Sequence, residues 1–389
     1  MKICITGYTY IRKNLFEVWD YYKEKENLYF ILPRKWPAKA GTIVYYPSRE
    51  TDLKVYKTTA LFWHSKYPII RGLLKGWMPF LMFKLIYLRL KGVKLLFTAS
   101  EPNILTTVLN ALIARVLGMK HIFNFWDVVP SAAKTSQFKK YVYDNLIRTS
   151  IALSHGAVCG NRKSTDILSG YGGKIKIVTF PTSGLDHNYF SKEVKPTFRQ
   201  ELKLDDKFIF LFAGVFNKQK GVDYLIEAFS QIVKEIPDAR LLLVGTGPEE
   251  ESLKSLVLSF GLGNQVTFMK WIEHRKMAEL FASCDVFMYP SVCYKGSEEQ
   301  FGYAMAEAML IEKPVIATRT GSIAEVIKDR ENGILVPEKD TLKLAESMLK
   351  LAKSRGLREE FGIKGRQYII DNFSHQIIAD KFYRLFKEL

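Results

Sequence analysis

Two glutamates eight residues apart carry the clearest chemical signal in this sequence. Glu299 and Glu307 lie in the largely apolar stretch EEQFGYAMAEAM, residues 298–309. Eight helical residues rise about 12 Å, whereas the carboxylate pairs that hydrolyse glycosides stand roughly 5 to 9.5 Å apart. The spacing therefore favours two separate tasks along one extended ligand, with one glutamate holding a sugar and the other a ribose. A pair of capping residues at the surface is the alternative, and Glu298 is expected to be a solvated neighbour.

A glycine turn followed by two lysines predicts a second part of the same site. Gly214 ends an apolar run, and Lys218 and Lys220 come just before a helical pattern that starts near Val222. Glycine lets a ligand approach the backbone closely, and the free N–H groups of a helix start favour an anion. These residues indicate a phosphate site, although an ordinary loop with solvated lysines fits the same pattern.

Short apolar runs alternate with longer helical patterns along the chain. This alternation predicts an α/β protein with parallel sheets, and two series of runs predict two Rossmann-like domains joined near residues 181–186. Because such sheets bind ligands beyond the carboxyl ends of their strands, we expect them to face each other across a ligand cleft. The expected strands are Lys2–Thr6, Tyr29–Leu32, Lys94–Thr98, His121–Phe125, Gly156–Cys159, Lys176–Phe180, Phe208–Gly214, Arg240–Gly245, Val266–Met269, Val286–Tyr289, Val315–Thr318 and Gly333–Val336.

Length and composition agree with a two-domain globular protein. The chain has 389 residues, 48% of them hydrophobic and 25% charged. Its four cysteines form no CxxC pair, which argues against a zinc site or a disulfide framework and suits a reducing cytoplasm. The start MKICITG is typical of a strand rather than a signal peptide, and no apolar run is long enough to span a bilayer.

Positive charge is concentrated in the first half of the chain. Residues 1–185 contain 28 Lys and Arg against 10 Asp and Glu, a net charge of +18, whereas the remaining residues contain 29 and 30, a net charge of −1. No acidic residue occurs between Asp52 and Glu101, where nine basic residues are found. This asymmetry predicts a polyanionic partner for the first half, either membrane phosphate or nucleic acid.

The stretch of residues 66–95 interleaves basic residues with aromatic and aliphatic ones. Such a segment suits the surface of an anionic membrane, where rings embed and cations meet headgroups. A buried crossover helix with solvated lysines is the alternative. Nucleic acid is disfavoured because no recognised nucleic-acid motif occurs. The residues expected at the membrane are Arg71, Lys75, Trp77, Lys84, Arg89 and Lys91.

Three motifs in order resemble the family 4 glycosyltransferases. The Glu299–Glu307 pair with FG and EAM inside it, the segment KGVDYLIEAF and the segment LLLVGTGPEE resemble motifs of that family at the right separations. The resemblance is strong over residues 175–373 and diffuse before them. It implies a GT-B fold, transfer of a sugar from a UDP- or GDP-sugar with retention, and no metal or other cofactor.

The resemblance also implies roles for individual residues. Glu299 would bind the transferred sugar near its reacting face, and Glu307 would accept both ribose hydroxyls. Lys220 would neutralise the diphosphate leaving group, as preorganised cations and helix N–H groups can do without a metal. The backbone amides of Phe301 and Gly302 would contact the sugar or diphosphate, and Lys270 to Ile272 would border the base.

Two positions depart from the pattern or extend it. Val215 stands where the family usually carries an arginine as a second diphosphate clamp, so Lys218, Arg319, Arg12 or Lys13 is expected to substitute. Asp127 matches the second member of a His-Asp or Arg-Asp pair, but Trp126 does not match the first. Asp127 would orient or deprotonate the acceptor hydroxyl; an N-cap or an interdomain hydrogen bond is the alternative.

The sequence thus predicts a retaining glycosyltransferase acting on a lipid or lipid-linked glycan at the cytoplasmic face of the cell membrane, as a peripheral protein. Residues 1–185, completed by a C-terminal helix within 374–389, would bind the acceptor, and residues 186–373 would bind the donor. A GT-B sugar-nucleotide epimerase is the alternative enzyme. A catalytically weak sugar-nucleotide-binding scaffold is the alternative outside catalysis.

Overall fold

Parallel β-sheets organise each of two units of the chain. The computed structural model describes residues 1–37, 43–44, 52–62, 73–128 and 136–389. One unit comprises Met1–Gly184 together with His375–Leu389, and the other comprises Leu185–Ser374.

The first unit contains a seven-stranded sheet in the order β5-β2-β1-β6-β7-β8-β9, with every neighbouring pair parallel. Most of its strands are buried on both faces, as apolar runs in a parallel sheet must be. A two-stranded antiparallel ribbon, β3–β4, stands apart from it. The strands are β1 (Lys2–Thr6), β2 (Leu28–Pro33), β3 (Trp36–Pro37), β4 (Ile43–Val44), β5 (Lys54–Thr58), β6 (Val93–Thr98), β7 (Lys120–Phe125), β8 (Gly156–Cys159) and β9 (Lys176–Thr179).

The last helix of the chain completes the core of this first unit. Its apolar side chains recur at helical spacing, and Phe382 packs against Trp19 and Phe97 at ring-centroid distances of 4.7 and 5.4 Å. The helices of the unit are α1 (Lys13–Phe16), α2 (Leu81–Leu90), α3 (Leu105–Val116), α4 (Gln137–Leu153), α5 (Arg162–Ser169) and the terminal α14 (His375–Glu388).

The second unit contains a six-stranded parallel sheet in the order β12-β11-β10-β13-β14-β15. Successive strands are added on one side of β10 up to β12 and on its other side from β13 onward. The boundary between β10 and β13 is the position at which open α/β sheets bind ligands. The strands are β10 (Phe208–Ala213), β11 (Ala239–Val244), β12 (Val266–Met269), β13 (Val286–Tyr289), β14 (Val315–Thr318) and β15 (Ile334–Val336).

Eight helices flank or follow these strands. They bury one apolar face each against the sheet or against one another, as Phe229 of the first long helix does against Phe210. The helices are α6 (Thr197–Glu201), α7 (Val222–Glu235), α8 (Glu250–Ser259), α9 (His274–Ser283), α10 (Tyr303–Leu310), α11 (Ile323–Val326), α12 (Thr341–Lys353) and α13 (Arg355–Phe373).

The expected α/β architecture of two parallel sheets is confirmed, and all twelve expected strands occur within one residue at each end. The edge strand β5 was missed, because Lys54 and Lys57 interrupt its apolar pattern. None of the helices in the described parts of the chain is long and apolar enough to cross a bilayer.

Candidate functional site

The loop after β10 places Lys220 beside the end of β13. A short 3₁₀ helix, Lys218–Lys220, follows Asn217, whose side chain accepts a hydrogen bond from the backbone N–H of Lys220 at 3.1 Å. Gly221 then turns left-handed, with φ +59°, and a Cβ there would stand 2.1 Å from the carbonyl oxygen of Pro290. Only glycine permits this approach, so the loop and the end of β13 are locked together.

Lys220 is paired with one of the two glutamates singled out above. Its Nζ lies 2.5 Å from Oε2 of Glu299 and donates a 3.1 Å hydrogen bond to the hydroxyl of Tyr289. The side chains of Lys220 and Glu299 are only 18% and 13% exposed. Since a mostly buried charge without a partner is costly, each of the two side chains stabilises the other in the site.

Tyr289 lies at the carboxyl end of β13 and connects the members of this cluster. Its ring lies under the ammonium of Lys220, with 5.0 Å between Nζ and the ring centroid. Burial and the nearby Glu299 carboxylate raise the pKa of Tyr289 well above its usual value, so the hydroxyl keeps its proton. Ser291, two residues on, donates to Oε2 of Glu299 at 3.4 Å.

The backbone of Glu299 is held by the turn after β14. Gly321 adopts a left-handed conformation, with φ +54°, and a Cβ there would stand 1.9 Å from the carbonyl oxygen of Glu299. The N–H of Ser322 donates to that oxygen at 3.0 Å, and its hydroxyl donates to the carbonyl of Gln300. Two turns at neighbouring strand ends therefore fix the side chain and the backbone of Glu299.

Glu307 lies on α10, which begins directly after a left-handed Gly302 with φ +85°. The residue is 8% exposed, and Nε2 of His274 lies 3.3 Å from its Oε1. Burial raises the pKa of Glu307, and His274 works against that rise. A buried carboxylate that has His274 as a partner can still accept hydrogen bonds from a ligand hydroxyl.

Glu299 and Glu307 were expected to be separated by a helical rise of about 12 Å, and this expectation was wrong. Glu299 to Gly302 precede the helix, which begins at Tyr303, so only part of the eight-residue spacing is helical. The two carboxylates nevertheless have different partners: Glu299 contacts Lys220 and Ser291, and Glu307 contacts His274.

Of the other residues expected around the donor, Gly214 and Lys270 follow strands of the second unit's sheet, and Phe301 precedes α10. Gly214 donates its N–H to the carbonyl of Val244 at 2.9 Å. Lys270 and Ile272 follow β12, with Lys270 exposed and Ile272 partly buried. The ring of Phe301 packs against Tyr303 and Phe373 at 4.7 and 5.1 Å, which fixes the backbone just before α10.

The cations considered as substitutes at Val215 differ in what they contact. Lys218 pairs with Glu249 at 2.7 Å, and Arg319 approaches Asp329 at 3.6 Å. Arg12 belongs to the first unit, where it is exposed between a 3₁₀ turn and α1. Lys220, which was not among these substitutes, pairs with Glu299, whereas Lys218 and Arg319 pair with other carboxylates.

In the first unit, Asp127 follows β7 as the sequence suggested. The preceding N–H, that of Trp126, donates to both carboxylate oxygens of Glu101 at 3.1 and 3.3 Å. Glu101 itself follows β6, so two acidic residues come from neighbouring strand ends. The residues after Val128 that would decide whether Asp127 caps a helix lie outside the described residues.

The residues expected at a membrane have unequal surroundings. Arg71 lies outside the described residues. Lys75 lies over the ring of Tyr8 at 4.5 Å, and Trp77 stacks on Phe62 at 6.3 Å. Lys84, Arg89 and Lys91 lie on or just after α2; Nζ of Lys84 and Lys91 lies over Tyr56 and Tyr87, and Arg89 donates to the carbonyl of Leu117.

Helix α2 also exposes an apolar face that the sequence-based choice of cations did not include. Its inner face is formed by Leu81, Leu85 and Leu88, which are buried. Its outer face carries Phe83, Ile86 and Leu90 at helical spacing, with Phe83 62% and Leu90 84% exposed. Large side chains this exposed along one helix face indicate an interaction surface.

Sequence reasoning missed Tyr289, Ser322, His274 and Glu101. Tyr289 is the last residue of β13, Glu101 and Ser322 follow β6 and β14, and His274 begins α9. A position near the carboxyl end of a strand is the signal that could have identified them. Among the described residues, no three His, Cys, Asp or Glu side chains cluster as metal ligands would.

Residues 194–368 match the sequence family described as glycosyl transferases group 1. Over this part of its length, the chain is similar to the group 1 glycosyltransferases. Over 201 residues the chain is 29% identical to N-acetyl-alpha-D-glucosaminyl L-malate synthase of Bacillus anthracis, covering 52% of this chain and 51% of that protein. Over 178 residues it is 29% identical to phosphatidyl-myo-inositol mannosyltransferase of Mycobacterium leprae, covering 46% of each.

These curated relatives are matched over about half of their length. Among solved structures, Anabaena HepE in complex with UDP and glucose aligns over 100% of both chains, with a TM-score of 0.73 and 19% identity. This likeness shows that the chain has the GT-B fold expected from its sequence.

Proposed function

We propose that this protein is a retaining glycosyltransferase that moves a sugar from a nucleotide diphosphate sugar to a lipid or lipid-linked glycan. The donor would be bound by the second unit and the acceptor by the first. UDP- and GDP-sugars are the donors considered.

The observation that carries the proposal is the cluster of Lys220, Glu299 and Tyr289 at strand ends, with Glu307 nearby along the chain on α10. A nucleotide sugar needs a cation at its diphosphate and acceptors for its sugar and ribose hydroxyls. Lys220 supplies the first, and the two carboxylates supply the second. The likeness to HepE, which was solved with UDP and glucose, supports a nucleotide-sugar ligand.

In the reaction, the bond between the anomeric carbon and the diphosphate oxygen breaks, and a bond from the acceptor oxygen to that carbon forms. The diphosphate departs with the electron pair of the broken bond, and its leaving oxygen takes up the proton that the acceptor hydroxyl gives up. Lys220 and the free N–H groups at the start of α10 stabilise the negative charge that develops there. Glu299 holds the sugar in place. In the first unit, Asp127 would orient the acceptor hydroxyl.

The face of α2 supports a membrane-bound acceptor. Phe83, Ile86 and Leu90 would enter the headgroup region of an anionic membrane while Lys84 and Lys91 meet its phosphates. The Mycobacterium leprae relative, a phosphatidyl-myo-inositol mannosyltransferase, carries a lipid acceptor in its name. A cytoplasmic protein that binds the inner face of the membrane peripherally agrees with both.

Donor turnover tests the enzymatic part of the proposal. The full chain is incubated with UDP-, GDP- and ADP-sugars, with and without a lipid extract, and nucleotide release and products are measured. We expect one donor to be consumed faster when acceptor is present. Conversion of a donor to its epimer without acceptor would identify an epimerase instead, and no turnover with any donor would contradict catalysis.

Sedimentation with vesicles tests the membrane part. Wild type and a Phe83→Ser, Ile86→Ser, Leu90→Ser variant are mixed with vesicles containing anionic phosphatidylglycerol at low salt. Leu258→Ser, which removes an exposed leucine of the second unit, is the matched control. We expect wild type and the control to sediment and the triple variant to remain in solution. Equal sedimentation of all three would exclude α2 as the membrane-binding helix.

A further inference from the structure

Glu307 is contacted from outside its own helix by an imidazole. Nε2 of His274, the first residue of α9, lies 3.3 Å from Oε1 of Glu307. His274 is half exposed, whereas Glu307 is buried. A partly exposed imidazole therefore contacts a buried carboxylate.

His274 is itself held on two sides by aromatic residues of the second unit. The ring of Tyr189 stacks on the imidazole at 6.1 Å and 10° between planes, and Phe190 meets it edge-on at 5.7 Å. The hydroxyl of Tyr189 also donates to the backbone carbonyl of His274 at 3.3 Å. These contacts fix the direction of the ring and so the direction of its Nε2–H.

Within the described residues, the other ionisable groups considered around Glu307 are either neutral or hydrogen-bonded to other groups. Tyr303 on its own helix and Tyr289 of β13 are both affected by the Glu307 carboxylate, which helps raise their pKa values, so they stay neutral. Arg366 of α13 donates instead to the carbonyls of Phe190 and Leu310. Strand β14 contributes only Val, Ile, Ala and Thr.

The charged groups on the α6 side of α9 have partners elsewhere. Thr197 donates to Glu279 at 2.5 Å, and Arg199 pairs with Asp285 at 2.7 Å. His274 is therefore the one ionisable group among these that contacts the Glu307 carboxylate directly.

We propose that His274 is a positioning residue that orients Glu307 toward the ribose of the nucleotide and makes nucleotide binding depend on pH. The inference rests on the proposed function, since it requires Glu307 to hold a ribose. An ionised carboxylate accepts two hydroxyl hydrogen bonds, whereas a protonated one must donate and binds a diol less well. Because burial favours the protonated form of Glu307 and His274 opposes it, removing His274 extends the protonated form to higher pH.

Nucleotide binding as a function of pH tests this. Binding of UDP and GDP is measured by calorimetry from about pH 5 to about pH 8, for wild type, His274→Ala, His274→Gln and Lys276→Ala. Lys276 is an exposed residue of the same helix and serves as the matched control. The 2′,3′-dideoxy analogue of the tighter nucleotide is measured alongside.

We expect affinity to fall toward acid in wild type and the Lys276 control. In His274→Ala the fall should begin at higher pH, and binding near pH 7 should be about ten- to a hundredfold weaker, the size of one lost hydrogen bond to a charged group. His274→Gln keeps a donor without a charge, so its affinity near pH 7 should recover partly while its acid limb stays displaced. The dideoxy analogue should bind all four proteins equally.

The possible outcomes distinguish a failure of the role proposed for His274 from a failure of the proposed nucleotide site. If a nucleotide binds and all four proteins share one pH profile, the role of His274 is wrong while the donor site stands. If the dideoxy analogue shows the same loss in His274→Ala, His274 supports the fold rather than the ribose contact, which also overturns the inference. If wild type binds neither nucleotide at any pH, the proposed function fails and takes the inference with it.

Discussion

Nζ of Lys220 lies 2.5 Å from Oε2 of Glu299, although the two residues are 79 positions apart in sequence. Tyr289 and Ser291, from the end of β13, contact the same pair. The cation assigned to the diphosphate and the carboxylate assigned to the sugar thus form an ion pair with each other. A bound diphosphate would share Lys220 with Glu299. Glu299 and Tyr289 already orient the ammonium group of Lys220.

Replacing Lys220 by alanine should reduce kcat/KM by about 10² to 10³, because the leaving group loses a preorganised charge and Glu299 loses its partner. Lys218→Ala is the control from the same turn. Since Lys218 pairs with Glu249, its loss should cost no more than about tenfold. Initial rates of both variants are measured with the donor that the turnover assay identifies. An equal loss in the two variants would mean that charge near the turn matters and the Lys220–Glu299 contact does not.

Replacing Tyr289 by phenylalanine removes one hydroxyl and keeps the buried ring. We expect kcat to fall about five- to tenfold, because Lys220 loses a hydrogen bond worth roughly 1 kcal/mol, while KM for the donor changes little. Steady-state rates and the thermal unfolding midpoint are measured together. A lower midpoint with unchanged kcat would assign the hydroxyl to stability alone.

Gly221→Ala should destabilise the second unit more than an alanine at an equally left-handed glycine. A Cβ at Gly221 would stand 2.1 Å from the carbonyl of Pro290, whereas Gly261, with φ +69°, has nothing within 4 Å of the added atom. We expect Gly261→Ala to cost about 1 kcal/mol and Gly221→Ala about 3 kcal/mol or more in the free energy of unfolding. Urea denaturation of both variants measures this. Equal costs would show that the turn relaxes without strain.

His121 should make the first unit sensitive to acid. Burial, with His155 nearby, lowers the pKa of His121 to about 3, against about 6.5 in an unfolded chain. Between these values the unfolded chain binds a proton that the folded chain does not, so stability present above about pH 6.5 is lost as the pH falls toward 3, by on the order of 4 kcal/mol.

The variant His121→Gln isolates this effect because it removes the titrating group. It should be less stable than wild type near neutral pH, since the ring bonds both Thr98 and Ser154. Its free energy of unfolding should then fall less steeply toward acid, so that the two curves converge. Parallel curves from about pH 7 to about pH 4 would contradict the buried neutral imidazole.

The sequence predicted the sheets well, because buried parallel strands are continuous apolar runs that stand out from their surroundings. It also placed Lys220 just before α7, Glu299 just before α10 and Glu307 within α10. It could not predict that Tyr289 and His274 contact them, since those contacts depend on side-chain directions across strands that are distant in sequence. Exposed Leu90 and Ile86 were passed over in favour of cations, because hydropathy alone does not distinguish an outer helix face from an inner one.

The eight-residue spacing was used to choose Glu299 and Glu307 as the working pair, but only part of that spacing is helical. Glu299 lies in a loop fixed by Gly321 and Ser322, and this loop has no periodic pattern that a sequence could display. The roles given to the two glutamates remain predictions.

The central claim is that the second unit holds a nucleotide through Glu307 as part of a nucleotide-sugar site. Calorimetric titration of the full chain with UDP, GDP and ADP tests it most directly, using wild type, Glu307→Ala and the neighbouring control Glu298→Ala. We expect one nucleotide to bind wild type and Glu298→Ala alike, and to bind Glu307→Ala at least tenfold more weakly, because two hydrogen bonds to a carboxylate are lost. Equal affinity of Glu307→Ala and wild type would contradict the account.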